Sequence, residues 1–153
     1  MLEFAEEFRD EGDGRFDLLL DDTDGFFELA NRFECGLDLP EDRVPMTHFM
    51  LFRGDRLVAI SRLRRRLIPV LLLDGGNIGY EVRSSERRRG YASEILRRTL
   101  DEARAIGLDR ALLTTEISNI ASIRTIENAG GTRTTDSISG VTGNPMCRYW
   151  IEL

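Results

Sequence analysis

The 153-residue chain is 41% hydrophobic and 31% charged, with a formal net charge of −6; this supports one ordinary core with no obvious second one, so a single domain over residues 1–153 is expected. Met1 to Glu7 lacks the basic and apolar runs of a signal peptide, and the longest apolar run, Leu67 to Leu73, is far too short to span a bilayer, so a cytoplasmic protein with no membrane contact is expected. Two cysteines, Cys35 and Cys147, and one histidine, His48, exclude a disulfide framework and a metal cluster.

Leu2 to Phe8 reads as a short helix, broken by the acidic turn Asp10 to Gly14. Phe16 to Leu20 is apolar and is expected to pack back on the core. Asp21-Asp22-Thr23 caps a helix running to about Cys35, with Phe26, Phe27, Ala30 and Phe33 on one side and Gly36 as its stop. Leu37 to Pro45 is a connection ordered by its two prolines. From Thr47 the period changes to two, and the turn Gly54-Asp55 makes Thr47 to Ser61 a β-hairpin. His48 enters this hairpin without a partner in sequence, which suits a structural side chain better than a base. Arg62-Leu63-Arg64-Arg65-Arg66 then ends a strand. Its arginines face solvent, the acidic N-terminal segment or an anionic ligand. No aromatics are interleaved among them and the chain as a whole is acidic, so no nucleic-acid footprint is read here.

Ile68-Pro69 opens a short helix, Asp74-Gly75-Gly76 turns the chain, and Ile78 to Val82 alternates as a central strand. Ala92, Ile95, Leu96, Thr99, Leu100, Ala103 and Ile106 then mark one face of a long helix that stops at Gly107. Ala111 to Thr115 is a buried strand, and Asn119 opens a second helix that ends at Gly130-Gly131. Thr132 to Ser137 reads as a strand, Gly140 to Pro145 as a loop and Met146 to Leu153 as a last strand. The order gives an α+β fold, a sheet covered by helices.

Charge is unevenly placed. Residues 1–42 carry fifteen acidic side chains and three arginines, a net −12, whereas residues 43–153 carry eighteen arginines and twelve acids, a net +6. The basic part suits a polyanionic ligand. The acidic part either draws a cationic partner through its summed field or merely solvates the outer faces of helices. All 21 basic residues are arginine.

Between the central strand and the long helix lies Arg87-Arg88-Arg89-Gly90-Tyr91-Ala92. A glycine-bearing basic loop at a helix start holds anions, because the first N–H groups of a helix have no partner and the dipole there is positive. Gly90 lets the backbone approach such an anion closely. Arg87-x-x-Gly90-x-Ala92 resembles the R/Q-x-x-G-x-G/A pyrophosphate loop of the GNAT acetyltransferases. The ordered sequel resembles that family too: a helix, a buried strand, then Asn119 with Ser122 three residues on. The likeness extends, less sharply, to Arg148-Tyr149-Trp150-Ile151, as in a subgroup of predicted acetyltransferases.

The resemblance implies a GNAT-type, mostly antiparallel mixed sheet flanked by helices, the acyl-CoA N-acyltransferase fold. It implies acetyl-CoA as co-substrate, an amine acceptor and no metal, and it admits a homodimer that no residue fixes. It further implies that Val82 offers backbone groups to the pantetheine arm, that Arg87, Arg88, Arg89, Gly90, Tyr91 and Ala92 hold the pyrophosphate, and that Asn119 and Ser122 stand beside the thiol end or the pantetheine. The early helices and Leu37 to Pro45 would wall the acceptor site. The position of the family's general-acid tyrosine, seven residues after Asn119, is Ile126 here, and Tyr80 or Tyr149 replaces it only if the fold brings one near the sulfur. Glu81, on the central strand, is the nominated base, with a water chain as an equal alternative; Asn77 stands where relatives carry a titratable group. Acetyl transfer to a primary amine by direct attack is the expected activity, and a catalytically idle acyl-CoA-binding module is the alternative.

Overall fold

The computed structural model describes residues 1–153. Three helices come first: α1 (Leu2–Asp10), α2 (Asp17–Asp21) and α3 (Thr23–Cys35). Asp22 caps α3 by accepting the Gly25 N–H at 2.9 Å, and Gly36 ends it in the left-handed conformation. Phe4, Phe8 and Phe16 meet with ring centroids 4.9 to 5.1 Å apart and, with Leu19, Leu57 and Ile60, form a buried cluster on the first sheet. The apolar Phe16 to Leu20 stretch packs back as expected. On α3, Phe26, Ala30 and Phe33 are half-buried, but Phe27 is exposed. It lies one residue, roughly 100°, around the helix from Phe26 and so leaves the contact face.

The first sheet runs β1 (Met46–Arg53), β2 (Arg56–Arg64), β3 (Ile78–Val82), all antiparallel. Between β2 and β3 the chain makes α4 (Pro69–Leu73), with Pro69 in its first turn. One face of this sheet carries Ser61, and Ser61 Oγ meets Thr99 Oγ1 of α5 (Tyr91–Ala105) at 2.6 Å. The other face aligns His48, Arg62 and Gly79 across the three strands, and next to them Met50, Ile60 and Glu81. This second face lies toward the N-terminal helices, since Met50 and Ile60 pack in their phenylalanine cluster.

The second sheet runs β4 (Arg110–Glu116), β7 (Pro145–Glu152), β5 (Thr132–Arg133), with β6 (Ser137–Ile138) also on β7; every pair is antiparallel. The expected strand over Thr132 to Ser137 is therefore two short ladders. Between them one main-chain bond remains, from the Thr134 N–H to the Arg148 carbonyl at 2.8 Å, and Arg133 pairs with Asp136 at 2.8 Å while Arg148 Nε donates to the Thr135 carbonyl at 2.6 Å. The helix α6 (Ile120–Asn128) follows β4. Leu63, Ile78, Leu96, Leu100, Leu113, Ile126, Cys147 and Tyr149 belong to the main core, shared by both sheets, α5 and α6.

No ladder joins β3 to β4. The two sheets are joined at Asn77 instead: its N–H donates to the Leu112 carbonyl at 2.7 Å, and its Oδ1 accepts the Leu112 N–H at 2.9 Å. Gly76 permits this approach, since a Cβ there would stand 2.2 Å from the Leu112 oxygen. Beyond the joint β3 has a free edge, and there the two sheets part. No helix is long and apolar enough to cross a membrane.

Candidate functional site

The parting of the sheets opens a cleft of about 700 Å³ between the free edge of β3, the start of α5, the start of α6 and the end of α1. It brings together Glu81, Val82, Arg87, Arg88, Gly90, Tyr91, Ala92, Asn119 and Ser122, which stand up to 41 residues apart in the chain. Arg89 turns aside, pairing with Glu86 at 3.2 Å, and does not line the cleft.

The turn before α5 is built for donation. Gly90 takes φ +86° at the helix start and Arg88 takes φ +61°. No backbone or side-chain acceptor of the protein receives the N–H groups of residues 88 to 93. A Cβ on Gly90 would meet nothing within 4 Å, so the turn opens onto free space. Arg87 closes one side: it forms a two-bond pair with Glu11 at 3.0 and 2.6 Å and donates Nε to the Val82 carbonyl at 3.2 Å. Arg88 has no carboxylate partner.

The free edge of β3 supplies a second set of backbone groups. Arg83 N–H bonds to the Val58 carbonyl, so the alternate residues 81 and 79 also bond to β2, and the N–H and C=O groups of Tyr80 and Val82 face the cleft. The Arg87 bond to Val82 agrees with that orientation.

Opposite lies the start of α6. Asn119 Oδ1 caps the helix by accepting the Ser122 N–H at 3.1 Å, which leaves its amide N–H groups unspent. Ser122 Oγ meets Tyr80 OH at 3.0 Å. Burial pushes the Tyr80 phenol up against the opposing pull of hydrogen bonds from Ser122 and Thr125. Of the two tyrosines considered above, the fold thus brings Tyr80 to the cleft. Tyr149 is fully buried and donates to Glu127 at 3.0 Å, and Ile126 lies in the core, 1% exposed.

Glu81 is held at the cleft floor. Arg15 Nη1 reaches Oε1 at 2.6 Å and Arg62 Nη2 bonds to the same oxygen, while Oε2 is buried without a partner. His48 does not line the cleft. Burial, and then the charges of Arg62 and Arg64, push its pKa down to about 4, which keeps it neutral. Asn77 is 3% exposed and spends its side chain on the sheet joint and on the Arg64 carbonyl at 3.1 Å.

None of Leu37 to Pro45 lines this cleft; several of them instead line a separate hollow of about 400 Å³ with Gly36 and Arg66. Phe8, Glu11, Asp13 and Arg15, from the first helix and the turn after it, form a wall of the cleft; the early helices were expected beside the acceptor site, but none of these side chains was singled out. The only signal for them was the acidic excess of this segment. No group of three or more histidine, cysteine or acidic side chains is placed to hold a metal.

The arrangement can hold a polyanion on the α5 turn, lay an extended polar chain along the β3 edge, and present a carboxylate where that chain ends. The Acetyltransferase (GNAT) family model matches residues 7–130. No curated protein matches the chain. Among solved structures the chain is similar to a putative acetyltransferase from Salmonella typhimurium, described with its cofactor acetyl-CoA (TM-score 0.60, 16% identity, 87% of this chain and 73% of that one). It is similar to a ribosomal-protein-alanine N-acetyltransferase from Brucella melitensis (TM-score 0.64, 17% identity, 86% and 78%). It is also similar to an N-acetyltransferase from Staphylococcus aureus Mu50 (TM-score 0.61, 19% identity, 86% and 76%). At such identities these likenesses speak to the fold.

Proposed function

The chain belongs to the GNAT acetyltransferase family, and from that premise we propose that residues 1–153 form one domain that transfers the acetyl group of acetyl-CoA to a primary amine of a small molecule or peptide by direct attack. The observation that carries this is the run of unspent N–H groups at residues 88 to 93, beside the unpaired Arg88 and open to a cleft that ends at Glu81. A pyrophosphate fits a cradle of that kind: the donors are already oriented, and no Cβ obstructs the approach at Gly90.

Bound acetyl-CoA supplies an activated thioester. In the proposed reaction the Arg88 to Ala92 backbone and the arginines Arg87 and Arg88 hold the diphosphate, Arg87 exchanging Glu11 for it, while Arg89 stays on Glu86. The cleft-facing groups of Val82 and Tyr80 align the pantetheine arm, and a β3 N–H polarises the carbonyl of the reacting group. Asn119 and Ser122 steady the sulfur end. Glu81 Oε2, the oxygen free of arginine, accepts the amine's proton directly or through water while the carbon–nitrogen bond forms and the carbon–sulfur bond breaks. Tyr80 OH, relayed through Ser122, or water returns a proton to the departing thiolate. The reaction needs no metal, and since acetyl-CoA is an intracellular metabolite the reading puts the enzyme in the cytoplasm.

A second reading is favoured by Ile126 in place of a tyrosine and by the two arginines on Glu81: an acyl-CoA-binding module without turnover. Thiol release from acetyl-CoA across polyamines, amino acids, aminoglycosides and peptide N-termini, with cofactor binding followed in the same samples, separates the two. Acceptor-dependent release is the expected result; tight cofactor binding with no release from any amine would favour the idle module or a protein substrate outside the panel.

A further inference from the structure

One wall of the cleft is the short segment Glu11 to Arg15, anchored on either side by the buried rings of Phe8 and Phe16. Its side chains reach across the cleft at two points. Glu11 makes the two-bond pair with Arg87, in the turn before α5, at 3.0 and 2.6 Å. Arg15 Nη1 reaches Glu81 Oε1, on β3, at 2.6 Å. Asp13 sets the direction of Arg15 by accepting its backbone N–H at 3.1 Å and its Nε at 2.9 Å. The contact at Glu81 is a cover. Of the two guanidiniums on that carboxylate only Arg15 lines the cleft; Arg62, on β2, does not. The Glu81 side chain is 9% exposed, and Oε2 is buried although it has no partner. An amine arriving through the cleft therefore meets Arg15 before it meets the base. A buried, unpartnered carboxylate oxygen also costs free energy, so the covered arrangement gains by opening.

We propose that Glu11 and Arg15 are positioning residues of a strap that keeps Glu81 covered until the cofactor is bound. The diphosphate takes Arg87 from Glu11, and residues 11–15 lose one of their two ties across the cleft. Arg15 then withdraws toward Asp13, and Glu81, still held through Oε1 by Arg62, opens Oε2 to the incoming amine. The side chains of Glu11, Arg87 and Arg15 are all partly exposed, and ion pairs so placed are weak enough for a phosphate to displace the carboxylate. Gly12 and Gly14, on either side of Asp13, give the strap its backbone freedom. The inference rests on the acetyl-transfer reading for the role of Glu81, but its own demand falls on the free and loaded forms of the protein and not on turnover.

Carboxylate footprinting tests the strap. The protein is pulsed with a water-soluble carbodiimide and glycine ethyl ester, with and without saturating coenzyme A, and modification is read at each acid by mass spectrometry. The chain has no lysine, so no side-chain amine consumes the activated carboxylates. Coenzyme A should raise the modification rates of Glu11 and Glu81 by about two- to fivefold, the worth of an exposed ion pair. Glu86, which is buried and paired with Arg56 and Arg89, should not change. In Glu11→Gln, Glu81 should react in the free protein as fast as in loaded wild type, and coenzyme A should add less than about twofold. Calorimetry should show this variant binding coenzyme A about two- to fivefold more tightly, since Arg87 then has no carboxylate to leave. The wild-type comparison stands even if the variant does not fold. Glu81 reacting no faster with coenzyme A overturns the proposal, as does a response that survives in Glu11→Gln or a failure of coenzyme A to bind. Thiol release from acetyl-CoA with a panel of amines is measured separately. Opening without release keeps the strap and sinks acetyl transfer; release without opening does the reverse.

Discussion

Gly90 combines two demands that no other residue meets together. Its φ of +86° is strained for a side chain, and the space before it is open, so any side chain placed there projects into the cleft and not into the protein. Gly90→Val should therefore lower acetyl-CoA affinity by at least about tenfold, the loss of one or two charge-assisted bonds to a phosphate. Gly90→Ala, with the strain and little bulk, should lose less. Calorimetry measures both, and an unchanged affinity in the valine variant would remove the loop from the binding site. The motif around Gly90 was legible because it is continuous. Arg15 was not: its partner Glu81 is 66 residues away, and nothing local marks an exposed arginine as half of a clamp.

At the scale of elements, α1 is tied to the loop it helps to position. One carboxylate, Glu7, accepts from Arg83 Nε at 2.9 Å and Arg83 Nη2 at 2.5 Å, from Ser84 Oγ at 3.1 Å, and from the Ser85 N–H and Oγ at 3.0 and 2.7 Å. Arg83 is 2% exposed. Burial alone would raise the Glu7 pKa, but Arg83, then Ser85 and Ser84, bring it from about 4.5 down to about 2. A folded pKa below the unfolded one contributes stability that is present above about 4.5 and lost as pH falls toward 2. Its size is about 2–3 kcal/mol. Glu7→Gln should cost about that much in urea melts at pH 7, and the gap to wild type should narrow as pH drops from 5 to 3. A gap of constant size across that range would mean that the charge of Glu7 is not what holds α1. The helix itself was readable from its sequence. Its role as an anchor for residues 83–86 was not, because ion pairs across about 76 positions leave no periodic trace.

At the scale of the molecule, the acidic N-terminal segment finds its counter-charges in the arginine-rich remainder. Glu3 and Glu7 face Arg83, Glu11 faces Arg87, and Glu34 stands 3.9 Å from Arg65. The uneven charge thus draws the helices onto the sheet, which weakens the case for long-range attraction of a cationic acceptor. The other molecular decision is taken at Asn77, where one side chain completes what a ladder would otherwise do. Asn77→Ala leaves the Leu112 N–H and the Arg64 carbonyl without these partners, and should destabilise the fold by about 2–3 kcal/mol. It should also weaken acetyl-CoA binding, because the sheet joint sets the cleft. Thermal melts and calorimetry on the same variant check both; a loss of stability with cofactor affinity untouched would show that the cleft does not depend on the joint.

The sequence by itself determined the elements, with α5 ending before Gly107 and α6 capped by Asn119, and it determined the glycine-bearing turn before α5, because helix periods, caps and glycine stops are local physics. It misjudged Thr132 to Ser137, which is two short ladders, and it did not show that the Leu37 to Pro45 connection lies away from the cleft. Only the tertiary structure decided that the strands form two sheets joined at Asn77, that Tyr80 and not Tyr149 reaches the cleft, and that Glu81 is clamped by Arg15 and Arg62. Each of these depends on which distant side chains share a face once the sheets part, and burial then fixes which charges are answered.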